Sequence, residues 1–269
     1  MITAHLVIRN GNKYDYPWKE AILSILPAVE EMIVLEAYSE DDTLEDLEKL
    51  ASQHKKIKII RGDWSPKTPD EQRRPFLVLA RLVNKCIAHI QTPWHLQIQG
   101  DEAFHEEQLE ELKRLGTDLG TEYDSVSFPY THFVANFSTT FPFMYQRLIR
   151  MARTSSQWQS IGDACQLAYG KGNTYKSDIM VYHYGKVHEP AVAMLKETDF
   201  QNMYTDLGFP DPKLKEMGEN VDYYYLFQDA FDKGLFSLFN GTHPKVMDQR
   251  IEKAKEEGWE QFPENYKKS

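Results

Sequence analysis

Trp94-His95-Leu96-Gln97-Ile98-Gln99-Gly100-Asp101-Glu102 is the stretch that decides the fold. Its first five residues read as a buried strand. Gln99-Gly100 breaks the run, and Asp101-Glu102 sets two carboxylates beyond the strand's carboxyl end. Towards the N-terminus the same punctuation recurs. Ile57-Lys58-Ile59-Ile60, Met32-Ile33-Val34-Leu35-Glu36 and Ala4-His5-Leu6-Val7-Ile8-Arg9 read as strands, the last stopped by Asn10-Gly11-Asn12. Helical spacing separates them. Trp18, Ala21, Ile22, Ile25 and Leu26 follow Pro17, which suits a first helical position. Leu44, Leu47, Leu50 and Ala51 give a second helix, and Leu79, Leu82, Val83, Cys86 and Ile90 a third over residues 76–90. Strands alternating with helices predict an α/β fold, with a mostly parallel, twisted sheet covered on both faces. Ligands of such sheets bind beyond the carboxyl ends of the strands. The polar groups expected there are Asn10 and Asn12, Glu36, Asp63, and Asp101 with Glu102.

Beyond residue 115 the pattern changes. Residues 105–115 form a charged helix. Ser125-Val126-Ser127-Phe128, Arg147-Leu148-Ile149-Arg150-Met151-Ala152-Arg153 and Ile179-Met180-Val181-Tyr182-His183-Tyr184 read as strands. Residues 65–75 carry three prolines and mixed charges, and are expected to be a loop. Helical segments dominate from Pro190 onward, broken by Pro210, Pro212 and Gly218.

Composition narrows the class. The chain has 269 residues, a length that fits one large domain or a core with an appendage. Roughly three quarters of the unfolded surface can be buried at this size, so no disulfide or metal staple is needed for folding. The two cysteines, Cys86 and Cys165, form no ligand cluster and suit a reducing, cytoplasmic setting. The formal charge of −10 argues against a nucleic-acid partner, which calls for a basic face. No apolar run approaches the roughly 18 residues of a membrane-spanning helix, and residues 1–7 lack the layout of an export signal. Neither GxGxxG nor GxxxxGK[ST] occurs, which counts against dinucleotide dehydrogenases and P-loop NTPases.

Several residue sets can carry chemistry, and each has a structural alternative. Asp101-Glu102 at a strand end suits a hard divalent cation, Mg2+ or Mn2+; the alternative is an acidic helix start. Glu36 can accept hydrogen bonds from a ribose or base, while Ser39, Asp42 and Thr43 after it suit helix capping. His183 is either a metal ligand or a hydrogen-bonded core residue. Asp163, after Gly162, is either a general base or a turn residue. Arg147 and Arg150 can bind phosphate or pair internally.

Three of these segments together resemble family 2 glycosyltransferases. Val34-Leu35-Glu36-Ala37-Tyr38-Ser39-Glu40-Asp41-Asp42-Thr43 is similar to that family's strand-loop signature. Leu79-Ala80-Arg81-Leu82-Val83-Asn84-Lys85-Cys86-Ile87-Ala88 is similar to its Ala-Arg helix, and Ile98-Gln99-Gly100-Asp101-Glu102 to its strand ending in Asp-x-Asp. Asn10 to Pro17, the Gln-x-Asp-Glu form and Tyr182-His183-Tyr184-Gly185 resemble a bacterial and phage subgroup. The resemblance implies a GT-A fold over residues 1–205, with a donor-binding half over 1–115, an acceptor-side half over 116–205, and a helical extension over 206–269. It implies transfer of a sugar from a nucleotide-sugar donor, a UDP-sugar first, to a saccharide or other hydroxyl acceptor, with inversion and with Mn2+ or Mg2+. Asp101 is then the metal-binding Asp, extended by Glu102 and joined by His183. Asn10, Glu36, Asp63, Arg81 and Gln99 lie on the donor side, and Asp163 is the base. Tyr130, Phe133, Phe137 and Tyr145 are expected to line the acceptor side, unless they are core. Two positions depart from the family pattern: Gln99 replaces the first Asp of Asp-x-Asp, and Ala37 replaces a second acidic residue. Two other functions stay open: a sugar nucleotidyltransferase, for which Arg9-Asn10-Gly11-Asn12-Lys13 is a poor Gly-rich loop, and a catalytically silent nucleotide-sugar-binding or assembly protein.

Overall fold

The computed structural model describes residues 1–201, 203, 230 and 232–260. The first half runs β1 (Ile2–Ile8), α1 (Trp18–Ile25), β2 (Glu31–Glu36), α2 (Thr43–Gln53), β3 (Ile57–Arg61), α3 (Pro69–Arg73), α4 (Leu77–Ile87), β4 (Trp94–Gln97), β5 (Glu102–Phe104) and α5 (Leu109–Asp118). The second runs β6 (Tyr123–Val134), β7 (Thr139–Thr140), β8 (Arg147–Arg153), β9 (Gln159–Ser160), β10 (Leu167–Ala168), β11 (Asn173–Lys176), β12 (Val181–Lys186), α6 (Pro190–Gln201), β13 (Ser237–Leu238) and α7 (Asp248–Glu256).

The sheet has 11 strands among the described residues, and its main path is β13-β7-β6-β8-β4-β1-β2-β3. It is parallel from β3 through β2 and β1 to β4. Then β8 joins β4 antiparallel, and β6 joins β8 antiparallel. The sheet is thus parallel through its first half and mixed beyond it, where β8 runs antiparallel to both neighbours while β11 and β12 pair with β6 in parallel.

β2 shows why the parallel part is buried on both sides. Met32 and Val34 enter the larger apolar cluster, with Ile2, Leu6, Ile22 and Ile25. Ile33 and Leu35 face the other way, against Val78, Leu82 and Cys86 of α4. Alternate residues of one strand therefore feed two cores, which is why its sequence reads as continuously apolar. Fully burying an aliphatic side chain of this kind contributes about 1.5–3 kcal/mol. α1 begins after Pro17 and buries Trp18, Ala21, Ile22 and Ile25 on one stripe. Gly11 makes room for it: a Cβ there would lie 2.6 Å from the Trp18 ring.

The stretch expected as a loop over 65–75 contains α3. Thr68 caps it, accepting the Glu71 N–H on its hydroxyl at 3.1 Å, with Pro69 in the first turn. Part of the expected 206–269 extension, residues 206–229, 231 and 261–269, lies outside the described residues. The rest of it joins the main body. β13 pairs with β7. Met247 and Ala254 pack with Phe133, Phe137 and Tyr184. Arg250 binds Asp15 at 2.8 Å and Glu20 at 3.1 Å. Among the described residues no helix is long and apolar enough to cross a membrane.

Candidate active site

A cavity of about 660 Å³ opens where β1 and β4 end, lined by Ile8, Arg9 and Asn10 on one side and by Gln97 to Asp101 on the other. Asp163, His183, Gly185, Lys186 and Lys196 complete the walls that matter for chemistry. The structure thus brings together Asn10, Gln99, Asp101, Asp163 and His183 from the sequence-derived set.

The strand pairings place the two candidate metal ligands. β12 lies between β5 and β6. Its His183 is opposite Glu102 on the antiparallel side and opposite His132 on the parallel side. Asp101 immediately precedes β5, and its carbonyl accepts the Tyr184 N–H at 2.8 Å. The result is His183 Nε2 at 3.9 Å from Asp101 Oδ1. Burial pushes the His183 imidazole down to about 3, so it is neutral at physiological pH. Asp101 Oδ1 is buried and has no hydrogen-bond partner among the described residues. A Cβ on Gly185 would sit 2.7 Å from His183 Nε2 and 2.9 Å from Asp101 Oδ2. Glycine at 185 therefore leaves open a point facing both donor atoms. A carboxylate and a neutral imidazole around such a gap fit a divalent cation. No group of three or more His, Cys, Asp or Glu able to hold a metal occurs among the described residues. Further coordination would have to come from a ligand or water.

Glu102 is not a metal ligand in this structure. It is 1% exposed, its carboxylate pairs with Arg150, and it accepts hydrogen bonds from Tyr130 Oη at 3.1 Å and the Gln99 N–H at 2.9 Å. Burial raises its pKa, and Arg150 pulls it back. Arg150 in turn donates to Gln99 Oε1 at 3.0 Å and to the Ala164 carbonyl at 3.3 Å. It braces the strand end against the Asp163 turn and is 1% exposed, so internal pairing, not phosphate binding, is its role here. Arg147 likewise donates to the Ser127 and Ser177 carbonyls.

Glu36 does not line the cavity either. It is fully buried, accepts the Tyr38 and Ser39 N–H groups at 3.0 and 2.6 Å, and pairs with Arg61 at 2.9 Å. It holds the following loop, where Tyr38 adopts a positive φ of 56°. Asn10 lines the cavity, but its Oδ1 accepts the Glu40 N–H at 2.8 Å. Ser39 and Thr43 accept the Asn10 and Asn12 N–H groups instead of capping α2. Asp63 and Arg81 stand apart from the cavity. Asp63 is exposed, and Lys67 and Ser65 hold its carboxyl well below the usual range. Arg81 binds Glu71 at 2.9 Å and the Asp63 and Ser65 carbonyls, tying that loop to α4.

Asp163 sits in a tight turn, between Gly162 and Ala164, both at positive φ (60° and 62°). Its Oδ1 accepts the Cys165 N–H at 3.2 Å. The ribbon carrying this turn is fixed by Asn84 of α4, which exchanges two hydrogen bonds with the Ser160 backbone at 2.9 and 2.8 Å. Of the aromatics expected on the acceptor side, Tyr145 lines the cavity. Phe133 and Phe137 are core residues at 0% and 2% exposure, and Tyr130 belongs to the Arg150 network. His243 bonds Tyr184 Oη at 2.9 Å within that same aromatic core.

Sequence reasoning missed Lys196 and the anchoring role of Asn84. Lys196 comes from α6, donates to the Gly185 carbonyl at 2.7 Å, and lies 4.2 Å from the Tyr16 ring centroid. Burial holds its ammonium down to about 8. The contact between α6 and the cavity has no local signature; it exists only once β12 has placed Gly185.

No family model and no curated protein matches the sequence. Solved structures with a similar fold include TarS from S. aureus in complex with UDP-GlcNAc, at 12% identity over 86% of this chain and 70% of that chain, TM-score 0.46. Another is the mannosyltransferase PcManGT from Pyrobaculum calidifontis in complex with GDP-Man and Mn2+, at 9% identity over 98% and 81%, TM-score 0.44. A third is glucosyl-3-phosphoglycerate synthase from Mycobacterium tuberculosis in complex with Mn2+ and UDP-Glc, at 16% identity over 78% and 80%, TM-score 0.41. At such identities and TM-scores, no residue role passes from them to this chain.

Proposed function

We propose that the chain is a GT-A-type glycosyltransferase that moves a sugar from a nucleotide-sugar donor to a hydroxyl acceptor. The observation that carries this is the gap bounded by Asp101, His183 and Gly185, facing the same cavity as Asp163. The ordered likeness of the three sequence segments to family 2 enzymes supports it.

In this reading Asp101 and His183 hold Mn2+ or Mg2+, which neutralises charge on the donor's diphosphate when bound. Lys196 and Lys186 add positive charge on the same side. The acceptor oxygen attacks the anomeric carbon as the bond from that carbon to the diphosphate oxygen breaks. The leaving nucleoside diphosphate takes the electron pair. Asp163 receives the acceptor's proton, as a general base must. Attack from the side opposite the diphosphate inverts the anomeric centre. Glu36, Asp63 and Arg81 shape the loops around the donor rather than touching it.

A thermal-shift screen of UDP- and GDP-sugars with and without Mn2+ tests the reading, because a ligand that binds only the folded state raises the Tm. The expected result is a rise with one nucleotide sugar that requires Mn2+, followed by transfer or slow hydrolysis of that donor. No shift with any donor overturns it. Binding without turnover under any cation gives the silent binding protein instead.

A further inference from the structure

His132 lies beyond the reach of the cavity, yet it contacts the candidate metal ligand directly. Its Nδ1 is 3.0 Å from His183 Nδ1, and its Nε2 is 2.7 Å from the Tyr145 carbonyl oxygen. A carbonyl only accepts, so His132 Nε2 must carry a hydrogen. His132 is 3% exposed, its ring is stacked on Tyr130 at 15° between planes, and neither of its two ring-nitrogen contacts is a carboxylate, so nothing bonded to it offsets a buried positive charge. As a neutral imidazole with hydrogen on Nε2, it has a bare lone pair on Nδ1. The 3.0 Å contact then requires His183 to donate from its own Nδ1. His183 Nε2 is left without hydrogen, facing Asp101 across 3.9 Å. Two lone-pair atoms thus face each other across the space that Gly185 leaves open.

We propose that His132 is a positioning residue: anchored by the Tyr145 carbonyl, it fixes His183 in the Nδ1–H tautomer and so presents the His183 Nε2 lone pair, with Asp101, to a divalent cation. This rests on the metal-binding part of the proposed function, but not on glycosyl transfer. The register supplies the arrangement: His132 and His183 are direct partners on adjacent parallel strands, so their side chains leave the sheet on the same face. Partners that orient a metal-binding imidazole typically change metal affinity by about 10–100-fold when removed.

The test uses the whole chain without any nucleotide sugar, so failure of the transferase reading cannot mimic failure of this one. Long-range proton–nitrogen NMR on metal-free, histidine-labelled protein reads the tautomers. The His132 and His183 signals are assigned by their loss in His132→Phe and His183→Gln. The expected pattern is hydrogen on His132 Nε2 and on His183 Nδ1; hydrogen on His183 Nε2 overturns the proposal, and this measurement needs no folded variant beyond assignment. Mn2+ titrations followed by electron paramagnetic resonance supply the second readout. His132→Phe, which keeps a ring but no acceptor, should weaken Mn2+ binding by about 10–100-fold. His132→Asn, which restores an acceptor near the Nδ1 position, should stay within about threefold of the unaltered protein. Equal Mn2+ affinity in the Phe variant, or equal loss in both variants, overturns the proposal.

Discussion

Asp101 and Glu102 are adjacent carboxylates that live in opposite regimes. Glu102 is enclosed by Arg150, Tyr130 Oη and the Gln99 N–H. Asp101 is nearly as sheltered, with its side chain 14% exposed, yet one oxygen has no partner among the described residues. Protein interiors rarely leave a buried polar atom unpaired. The contrast separates a carboxylate whose partners hold the fold from one with an oxygen that no described residue satisfies. In the function proposed above, that oxygen and His183 Nε2, 3.9 Å away, share a divalent cation.

The sharpest way to break this contrast is Asp101→Asn. Transfer should fall by at least about 10³-fold, several kcal/mol of lost charge stabilisation, while the urea midpoint stays near that of the unaltered protein. Retained Mn2+-dependent activity would end the metal assignment. Arg150→Met should do the reverse. Leaving Glu102 charged and buried alone costs about 3–5 kcal/mol of stability, read by urea unfolding, and Glu102→Gln in the same chain should recover much of it. Asp163→Asn should lower the transfer rate by roughly 10²-fold or more with donor affinity almost intact. Unchanged transfer in that variant removes Asp163 from the base role. Gly185→Ala places a methyl between the two donor atoms and should weaken Mn2+ binding by about tenfold with little change in Tm; an unaffected Mn2+ titration would mean that the gap is not the cation's place.

The smallest effect concerns Lys196. Its ammonium is held down to about 8, against an ordinary lysine near ~10.4. Below the folded value both states are protonated. Between about 8 and ~10.4 the unfolded chain binds more protons than the folded one, so this residue's contribution to stability rises with pH across that window. The stability difference between the unaltered protein and Lys196→Met should therefore grow from pH 8 to 10. A flat difference would show an ordinary, solvated lysine.

How much of this was legible in the sequence depends on how far each residue's partners lie. β1 to β4 and the intervening helices announce themselves, because burial on two faces and helical periodicity are local properties of the chain. The strand-end rule placed Asn10 and Asp101 at one cavity for the same reason. It failed for Glu36 and Glu102, which sit at equally good strand ends. Arg61 and Arg150 take those carboxylates inward, and nothing beside Glu102 reveals an arginine 48 positions away. Phe133 and Phe137 looked like sugar-stacking rings until Met247 and Ala254 covered them. α3 was there to be read: Thr68-Pro69-Asp70-Glu71 has the spacing of a capping box, overshadowed by the prolines around it. His132 carries no local sign at all, since its meaning comes from the register between β6 and β12.

The sheet order has a consequence for how the chain must come together during synthesis. β8 fills the place between β4 and β6, so the open edge of β4 waits until residues 147–153 have been made. Until then Glu102 has no counter-ion, and a strand edge is available for pairing with another molecule. A fragment ending near residue 115 would therefore not be a self-sufficient donor-binding half, but a sticky intermediate. The boundary expected near residue 115 is crossed by the strand and the ion pair that complete the first part of the sheet.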